Sequence, residues 1–207
     1  MKYTVTVLLI LSLKLFAYNN IDSLFSLPEK KITYCTVLPT APATYLGSTF
    51  LTVELPFEDV VTAMQDFDYI TKSIGIIRVF KKIPGKELYD FEAKIGIARG
   101  WALLKLDSMV VDSNKNFYLV FRGDDSPALI NVWKEQHKGF FVARGNAFYL
   151  RFKFKKLSST QTRLSYISTL QPEYYVPHWL FVLASDFAIP SVLRDIEKAI
   201  KIRPTHQ

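Results

Sequence analysis

The chain is poor in the residues from which catalytic and metal sites are usually built. Its only cysteine is Cys35, so no intramolecular disulfide can form. It has three histidines, and none shows the H-x-x-x-H or C-x-x-C spacing of a metal-ligand set. The glycines at 75, 96, 100 and 145 form no phosphate-binding loop. We therefore predict no metal ion, no cofactor and no catalytic residue.

A strong clustered charge is also lacking. The formal net charge is +7, and it becomes +5 if a leader carrying Lys2 and Lys14 is removed, because 24 basic and 19 acidic residues then remain. The nearest approach to a cluster is formed by Arg151, Lys153, Lys155 and Lys156. Their alternation is typical of the solvated face of a strand, so we expect no nucleic-acid partner.

Long apolar runs are scarce, and the one candidate lies at the N-terminus. Residues 1–17 have a basic start, an apolar run over residues 5–13 and a small residue at Ala17. This pattern predicts a secretory signal peptide cleaved after Ala17, followed by a lead-in at 18–30. Lys14 and Leu15 make the cleavage site imperfect, and the alternative is an uncleaved anchor. We expect export to a periplasmic or secreted location.

Aromatic residues are abundant, with 16 Phe, 11 Tyr and 3 Trp, and much of the chain alternates between apolar and polar residues. This alternation predicts strands with one dry and one wet face. A helix is predicted over 56–70, and residues 128–133 read as a short turn or strand. The predicted strands are 31–38, 45–55, 76–82, 88–97, 101–111, 117–122, 137–143, 148–154 and 163–170.

The last stretch, residues 176–202, predicts a long helix that begins at Pro177. Its second half has apolar residues at helical spacing, with Pro190 predicting a kink. Its first half is apolar nearly all round, so we expect it to be covered on more than one side. A sheet of this many strands must curl. The predicted fold is therefore α+β, with a curved antiparallel sheet around the kinked helix in one monomeric domain, residues 31–203, before a tail at 204–207.

Several strings, taken in order, resemble the START-like, helix-grip superfamily of lipid-transfer and polyketide-cyclase domains. The strings are VELPFEDVVTAMQDFDYI at 53–70, ARGWA at 98–102, KGFFVAR at 138–144, TRLSY at 162–166, and the segment from Val176 to Leu180 with PSVLR at 190–194. Gly100 stands where the family usually has Asp. The resemblance covers about residues 31–202, and it concerns structural motifs more than an activity.

The resemblance implies a deep cavity between the sheet and the last helix that holds a lipid, a sterol or another hydrophobic molecule. Transient membrane contact is also expected. The residues predicted to line the cavity are Tyr89, Phe91, Leu104, Leu106, Phe117, Leu119, Phe148, Leu150, Phe152, Tyr166, Trp179, Leu183 and Asp186. Each apolar side chain among them would also serve as ordinary core packing.

Alternative functions remain open at this point. One is a cyclase or aromatase-like enzyme acting on a bound hydrophobic substrate, with polar groups such as Tyr89, Tyr166 or Asp186 in the cavity. Another is an interaction module with a filled core. Asp186 is an acid on an apolar helix face, and it is expected either to cap the kink at Pro190 or to meet Arg99 or Arg144. A ligand carrier would need a gate, which we place at Pro190 or at residues 123–127.

Overall fold

The structure is a computed structural model that describes residues 34–38, 44–96, 98–137, 142–173 and 176–203. The chain divides into two compact units, Met1–Lys30 and Lys31–Gln207, and every described residue lies in the second unit. The predicted signal peptide, its cleavage after Ala17, the lead-in at 18–30 and the tail at 204–207 lie outside the described residues. Among the described residues, no helix combines the length and the hydropathy needed to cross a bilayer.

Eight strands and four helices build the described domain. The strands form one curved sheet in the order β1-β2-β8-β7-β6-β5-β4-β3, in which every neighbouring pair is antiparallel. A short parallel pairing also joins β5 to the start of β7. In chain order the elements are β1 (Tyr34–Leu38), β2 (Thr44–Val53), α1 (Phe57–Gln65), α2 (Phe67–Ser73), β3 (Ile77–Lys82), β4 (Leu88–Ile95), β5 (Ala98–Val111), β6 (Asn116–Gly123), α3 (Pro127–Lys134), β7 (Val142–Lys156), β8 (Thr162–Pro172) and α4 (His178–Ile202).

The predicted helix over 56–70 is in fact two helices, because Asp66 interrupts it. Asp66 leaves helical geometry at φ −96° and ψ 66°, and its side chain accepts a hydrogen bond from the backbone N–H of Tyr69. It therefore ends α1 and caps α2. Arg203, at the end of α4, donates to the same carboxylate over 3.0 Å. This one acidic residue thus ties three helices together.

The second half of α4 packs on the inner, concave face of the sheet as its spacing predicts. Leu193 and Ile196 are fully buried in the same apolar core as the inner residues of β5, β6 and β7. The helix runs continuously through Pro190. Closer to the N-terminus of α4, Ile189 packs against Gly47 of β2. A Cβ added at Gly47 would collide with the Cδ1 atom of Ile189. Gly47 therefore permits a close approach between helix and sheet.

The expectation for the first half of α4 was wrong. It was predicted to be covered on more than one side, but Trp179, Leu183 and Phe187 are 67%, 57% and 79% exposed. They are spaced by four residues, so they lie on one side of the helix. Phe181, by contrast, contacts the ring of Tyr45 on β2 at a centroid distance of 3.9 Å. This half of α4 is covered on the sheet side and bears an exposed apolar stripe.

Three further predictions in the middle of the chain need correction. Residues 128–133 are helical, since Pro127 starts α3 and the side of this helix bearing Ile130 and Trp133 packs on the outer face of the sheet. The predicted strand at 137–143 does not begin at His137, which lies in a turn after α3. The predicted break at residues 144–146 is absent, because β7 runs unbroken from Val142 to Lys156 with only a register shift beside Asn146.

Candidate ligand site between the sheet and the last helix

Ten of the thirteen residues predicted to line a cavity lie together on the inner face of the sheet. Alternation places them there, since every second residue of a strand points to the same side. They join one apolar cluster that also includes residues from α1, α2 and the second half of α4. These ten residues are Tyr89 and Phe91 on β4, Leu104 and Leu106 on β5, Phe117 and Leu119 on β6, Phe148, Leu150 and Phe152 on β7, and Tyr166 on β8.

Aromatic rings form a continuous network through this cluster. Phe67 from α2 lies at its centre, with ring centroids 5.1 Å from Phe80, 5.1 Å from Phe121 and 5.7 Å from Phe152. Phe80 in turn stacks on Tyr89 at 4.8 Å. The cavity prediction did not include Phe67, Phe80 and Phe121. The sequence pattern showed that these three residues are apolar and face one side of their element. Only the tertiary packing places α2 against the inner face of the sheet, where Phe67 meets the other rings.

The polar groups near the middle of the inner face are hydroxyls. Tyr166 pairs in register with Thr49 on β2, and Ser168 is two residues further along the same side of β8. Burial raises the pKa of Tyr166, although a hydrogen bond with the Ser168 side chain partly opposes this. Tyr166 is therefore a neutral phenol at neutral pH. It can donate a hydrogen bond to a ligand, but it is not a base.

The other three predicted lining residues lie elsewhere. Trp179 and Leu183 belong to the exposed stripe of α4, and Asp186 is exposed on the same half of the helix. Arg99, one of the partners considered for Asp186, instead donates two hydrogen bonds to Glu92. The structure thus separates these three residues from the ten on the inner face.

A small groove opens where α4 crosses β2. Its volume is about 210 Å³, and it lies between Thr49, Phe50 and Leu51 on the strand and Pro190, Leu193 and Arg194 on the helix. Pro190 has no N–H, so the carbonyl of Asp186 loses its usual helical partner beside this opening. The groove is smaller than the roughly 300–1,000 Å³ of typical ligand pockets. It marks a place where the helix and the sheet are incompletely packed.

The buried histidine His137 and the buried carboxylate of Glu92 lie on the opposite, outer face of the sheet. Glu92 and Trp101 are register partners, whereas the neighbouring pair Phe91 and Ala102 points inward. His137 stacks on Trp101 with centroids 4.9 Å apart, and its two ring nitrogens contact Asp90 and Glu92. Alternation within the predicted strand 88–97 places Asp90 and Glu92 opposite Phe91, on the side expected to be wet. Glu92 is nevertheless only 2% exposed, because the segment that includes α3 and His137 covers it.

This distribution decides what the inner face can do chemically. Apolar side chains and rings surround it, and its central polar groups are neutral hydroxyls. His137 and its partners Asp90 and Glu92 lie on the other side of the sheet from this inner face. Among the described residues, no group of three or more His, Cys, Asp or Glu side chains is arranged to hold a metal ion. The inner face therefore suits a hydrophobic molecule with few polar groups.

Comparisons with solved structures show the fold. Human STARD10 aligns with a TM-score of 0.59 and 11% identity over 83% of this chain and 74% of that chain. A STAR-related lipid transfer protein from Xanthomonas axonopodis aligns with a TM-score of 0.54 and 8% identity over 84% of this chain and 96% of that one. The Zhui aromatase/cyclase from a Streptomyces species has a TM-score of 0.52 and 8% identity over 79% and 98%.

These likenesses confirm the START-like, helix-grip α+β fold that the sequence predicted. At such low identity they carry information on the fold and not on the chemistry. No protein-family model and no curated protein sequence matches the chain.

Proposed function

We propose that this protein binds a lipid or another hydrophobic small molecule between the inner face of its sheet and α4. The observation that carries the proposal is the composition of that face, which gathers ten predicted lining residues in one apolar, ring-rich cluster. Removing apolar ligand surface from water contributes about 25 cal/mol per Å², so such a site needs few polar anchors. Tyr166 is the group best placed to bind a polar end of the ligand.

An enzyme of the cyclase or aromatase kind is the less favoured alternative. General acid–base chemistry needs a positioned group that exchanges protons near neutral pH. Tyr166 has a raised pKa, and His137 with its carboxylate partners lies on the other face of the sheet. Transfer of the ligand between membranes is a further part of the proposal. It agrees with the name of the STAR-related lipid transfer protein from Xanthomonas axonopodis, which shares the fold.

The proposal is tested first by native mass spectrometry of the purified protein, followed by solvent extraction. We expect a bound mass of lipid size that extracts into organic solvent. Titration with a fluorescent acyl lipid and a fluorescent sterol would then measure affinity and distinguish the two ligand classes. A protein that carries no such mass and takes up neither probe would refute ligand binding.

Two matched tyrosine variants locate the site. Tyr166→Phe removes a hydroxyl from the inner face, and Tyr118→Phe removes one from the outer face, where Tyr118 contacts Arg151. We expect Tyr166→Phe to weaken binding of a ligand with a polar end about fivefold, the typical effect of one hydrogen bond. Tyr118→Phe should leave the affinity unchanged. Equal effects of the two substitutions would place the ligand outside the inner face.

Export is a separate proposal that depends only on residues 1–17. N-terminal sequencing of the protein recovered from the cells that produce it, with its cellular fraction recorded, tests this directly. A mature chain that begins at Tyr18 outside the cytoplasm is the expected result. An intact Met1 in a membrane fraction would favour the uncleaved anchor.

A further inference from the structure

Two hairpin tips lie side by side at one end of the sheet. The β5–β6 hairpin ends after the pair Val111 and Phe117, and the β7–β8 hairpin ends after the pair Lys156 and Thr162. The backbone N–H of Lys156 donates to the carbonyl of Lys115 over 3.4 Å, so the two tips are in contact. We call this end of the molecule the tip surface.

The tip surface exposes large apolar side chains. Met109, Val110, Val111 and Leu157 are between 38% and 50% exposed. The strand register shows that these exposed side chains lie on both faces of the β5–β6 hairpin. Met109 pairs with Leu119 on the inner side, whereas Val110 pairs with Tyr118 on the outer side. The pairing of β5 with β4 ends at Lys105. From residue 106 onward, β5 pairs with β6 on one edge, and no strand among the described residues covers its other edge. The exposed side chains therefore form a projecting apolar edge.

Lysines lie beside this apolar edge, in the β5–β6 turn and on β7. Lys156 is paired with Glu58 over 2.7 Å, but no described carboxylate forms an ion pair with Lys115, Lys153 or Lys155. Burial lowers the pKa of Lys153, and the charges of Lys155 and Arg151 lower it further. The contributions of Lys155 and Arg151 show that positive charges lie close together on the outer face of β7.

Three of the acidic groups near this end are held by hydrogen bonds. The carboxylate of Asp112 in the β5–β6 turn accepts hydrogen bonds from the backbone N–H of Asn114 and of Asn116. Glu54 accepts a hydrogen bond from Gln161 in the neighbouring turn, and Glu58 is bound by Lys156. Asp112 remains close enough to attract Lys153 weakly. Fixed carboxylates therefore offset the positive charge of the tip surface only in part.

We propose that the tip surface binds an anionic lipid bilayer, with the exposed apolar side chains of the two hairpins entering the headgroup region and Lys115, Lys153 and Lys155 contacting lipid phosphates. Charge complementarity requires an anionic partner. Nucleic acid would satisfy the lysines but would leave the projecting aliphatic side chains in water. A second copy of the chain would bring like charges together. Only an anionic membrane surface matches both properties at once.

This surface is distinct from the exposed stripe of α4. The tip surface adjoins the start of α1, since Lys156 contacts Glu58, whereas the stripe lies at the N-terminal end of α4 beside β1 and β2. The inference goes beyond ligand binding, because membrane attachment can occur whether or not the inner face is occupied. Failure of one proposal is therefore distinguishable from failure of the other.

Vesicle co-sedimentation of the full chain tests the proposal. The vesicles are phosphatidylcholine alone or phosphatidylcholine with about one third phosphatidylglycerol, at low and high salt. We expect binding to the anionic vesicles that weakens at high salt, because exposed charges are screened beyond about 10 Å at 0.1 M. Lys153→Gln with Lys155→Gln should lower the partition coefficient about 30-fold, since one cation near an anionic surface contributes about fivefold.

Matched controls separate this surface from net charge and from the α4 stripe. Lys81→Gln with Lys86→Gln removes the same charge from exposed positions on and after β3 and should have little effect. Val110→Ser with Leu157→Ser should weaken binding, whereas Trp179→Ser with Leu183→Ser should not. All variants share one N-terminus, so any membrane affinity of residues 1–17 cancels in the comparison. Circular dichroism establishes that each variant is folded.

Three results would overturn the proposal. The first is binding without preference for anionic vesicles, or no vesicle binding at all. The second is a loss of binding in the α4 variant but not in the tip variants, which would place the membrane contact on the stripe. The third is competition in which an oligonucleotide displaces the protein from vesicles at a lower concentration than a water-soluble, short-chain phosphatidylglycerol does. That result would identify a nucleic-acid surface.

Discussion

The Nδ1 atom of His137 lies 3.1 Å from Oε2 of Glu92, although 45 residues separate the two in the chain. The other ring nitrogen lies 2.9 Å from Oδ1 of Asp90. Arg99 donates to both oxygens of Glu92 over 2.8 Å and 2.7 Å. The hydrogen bond with Asp90 is the main cause that raises the pKa of His137 above 6.5, and Glu92 adds to it. This buried network fastens the segment after α3 to the outer face of the sheet.

Stability should depend on pH through His137. A raised folded-state pKa means that its contribution is complete below the unfolded-state pKa of about 6.5 and is lost as pH rises through the folded-state value. The free energy of unfolding should therefore fall from about pH 6.5 upward. Urea unfolding of the wild type and of His137→Asn across pH 6–9 would measure this. The variant should lack the slope, because asparagine does not titrate. It should be about 2 kcal/mol less stable at pH 6, and the loss is limited because Glu92 keeps its partner Arg99.

His178→Asn is the matched control for this experiment. His178 is exposed at the first residue of α4, so its removal should preserve the slope. An unchanged slope in His137→Asn would show that other groups control the alkaline loss of stability.

At the acid end, the hydrogen bonds from Arg99 are the main cause that lowers the pKa of Glu92. The contribution of Glu92 to stability is therefore present above about pH 4.5 and is lost as pH falls through the lowered folded-state value.

A larger side chain at Gly47 should destabilise the protein. Gly47→Val places new atoms against Ile189 of α4, and overpacking of this kind typically costs about 1–3 kcal/mol. Ser48→Val, one residue further on the other face of the same strand, should be neutral or slightly stabilising, since valine favours strands. Chemical denaturation of both variants measures the difference. Equal stability of the two would mean that Ile189 moves aside without cost.

Pro190 should influence how readily a ligand exchanges. Pro190→Ala restores the N–H that can bond to the carbonyl of Asp186, and a proline inside a helix costs about 3 kcal/mol. We expect a more stable helix beside the groove and, if α4 is the gate, slower exchange of a fluorescent lipid. Stopped-flow transfer between vesicles measures the rate. An unchanged rate would point to the loop between β6 and α3 as the gate.

Much of the fold could be predicted because local patterns encode it. Alternation along β7 identified Phe148, Leu150 and Phe152 as inward-facing, and a strand has no other way to separate its two faces. The helical spacing of Leu193 and Ile196 likewise identified the buried side of α4. The resemblance of several strings, taken in order, to START-like domains then predicted the fold, which the solved structures confirm.

The remaining errors have one physical origin. Apolar residues at short range do not reveal which partner will cover them. Trp179 and Leu183 therefore looked buried but are exposed, whereas Glu92 looked solvated but is buried. Residues 128–133 were too short for their period to be recognised, and Pro127 together with packing on Trp101 and Leu103 decided that they are helical.

By itself, the sequence determined which side of each strand and of the last helix is apolar, because neighbouring residues set that pattern. Only the tertiary structure decided which distant groups meet: His137 with Glu92, Gly47 with Ile189, and one hairpin tip with the other. Such contacts depend on how the sheet curves and on where each connection returns. Long-range packing, and not local propensity, fixes these features.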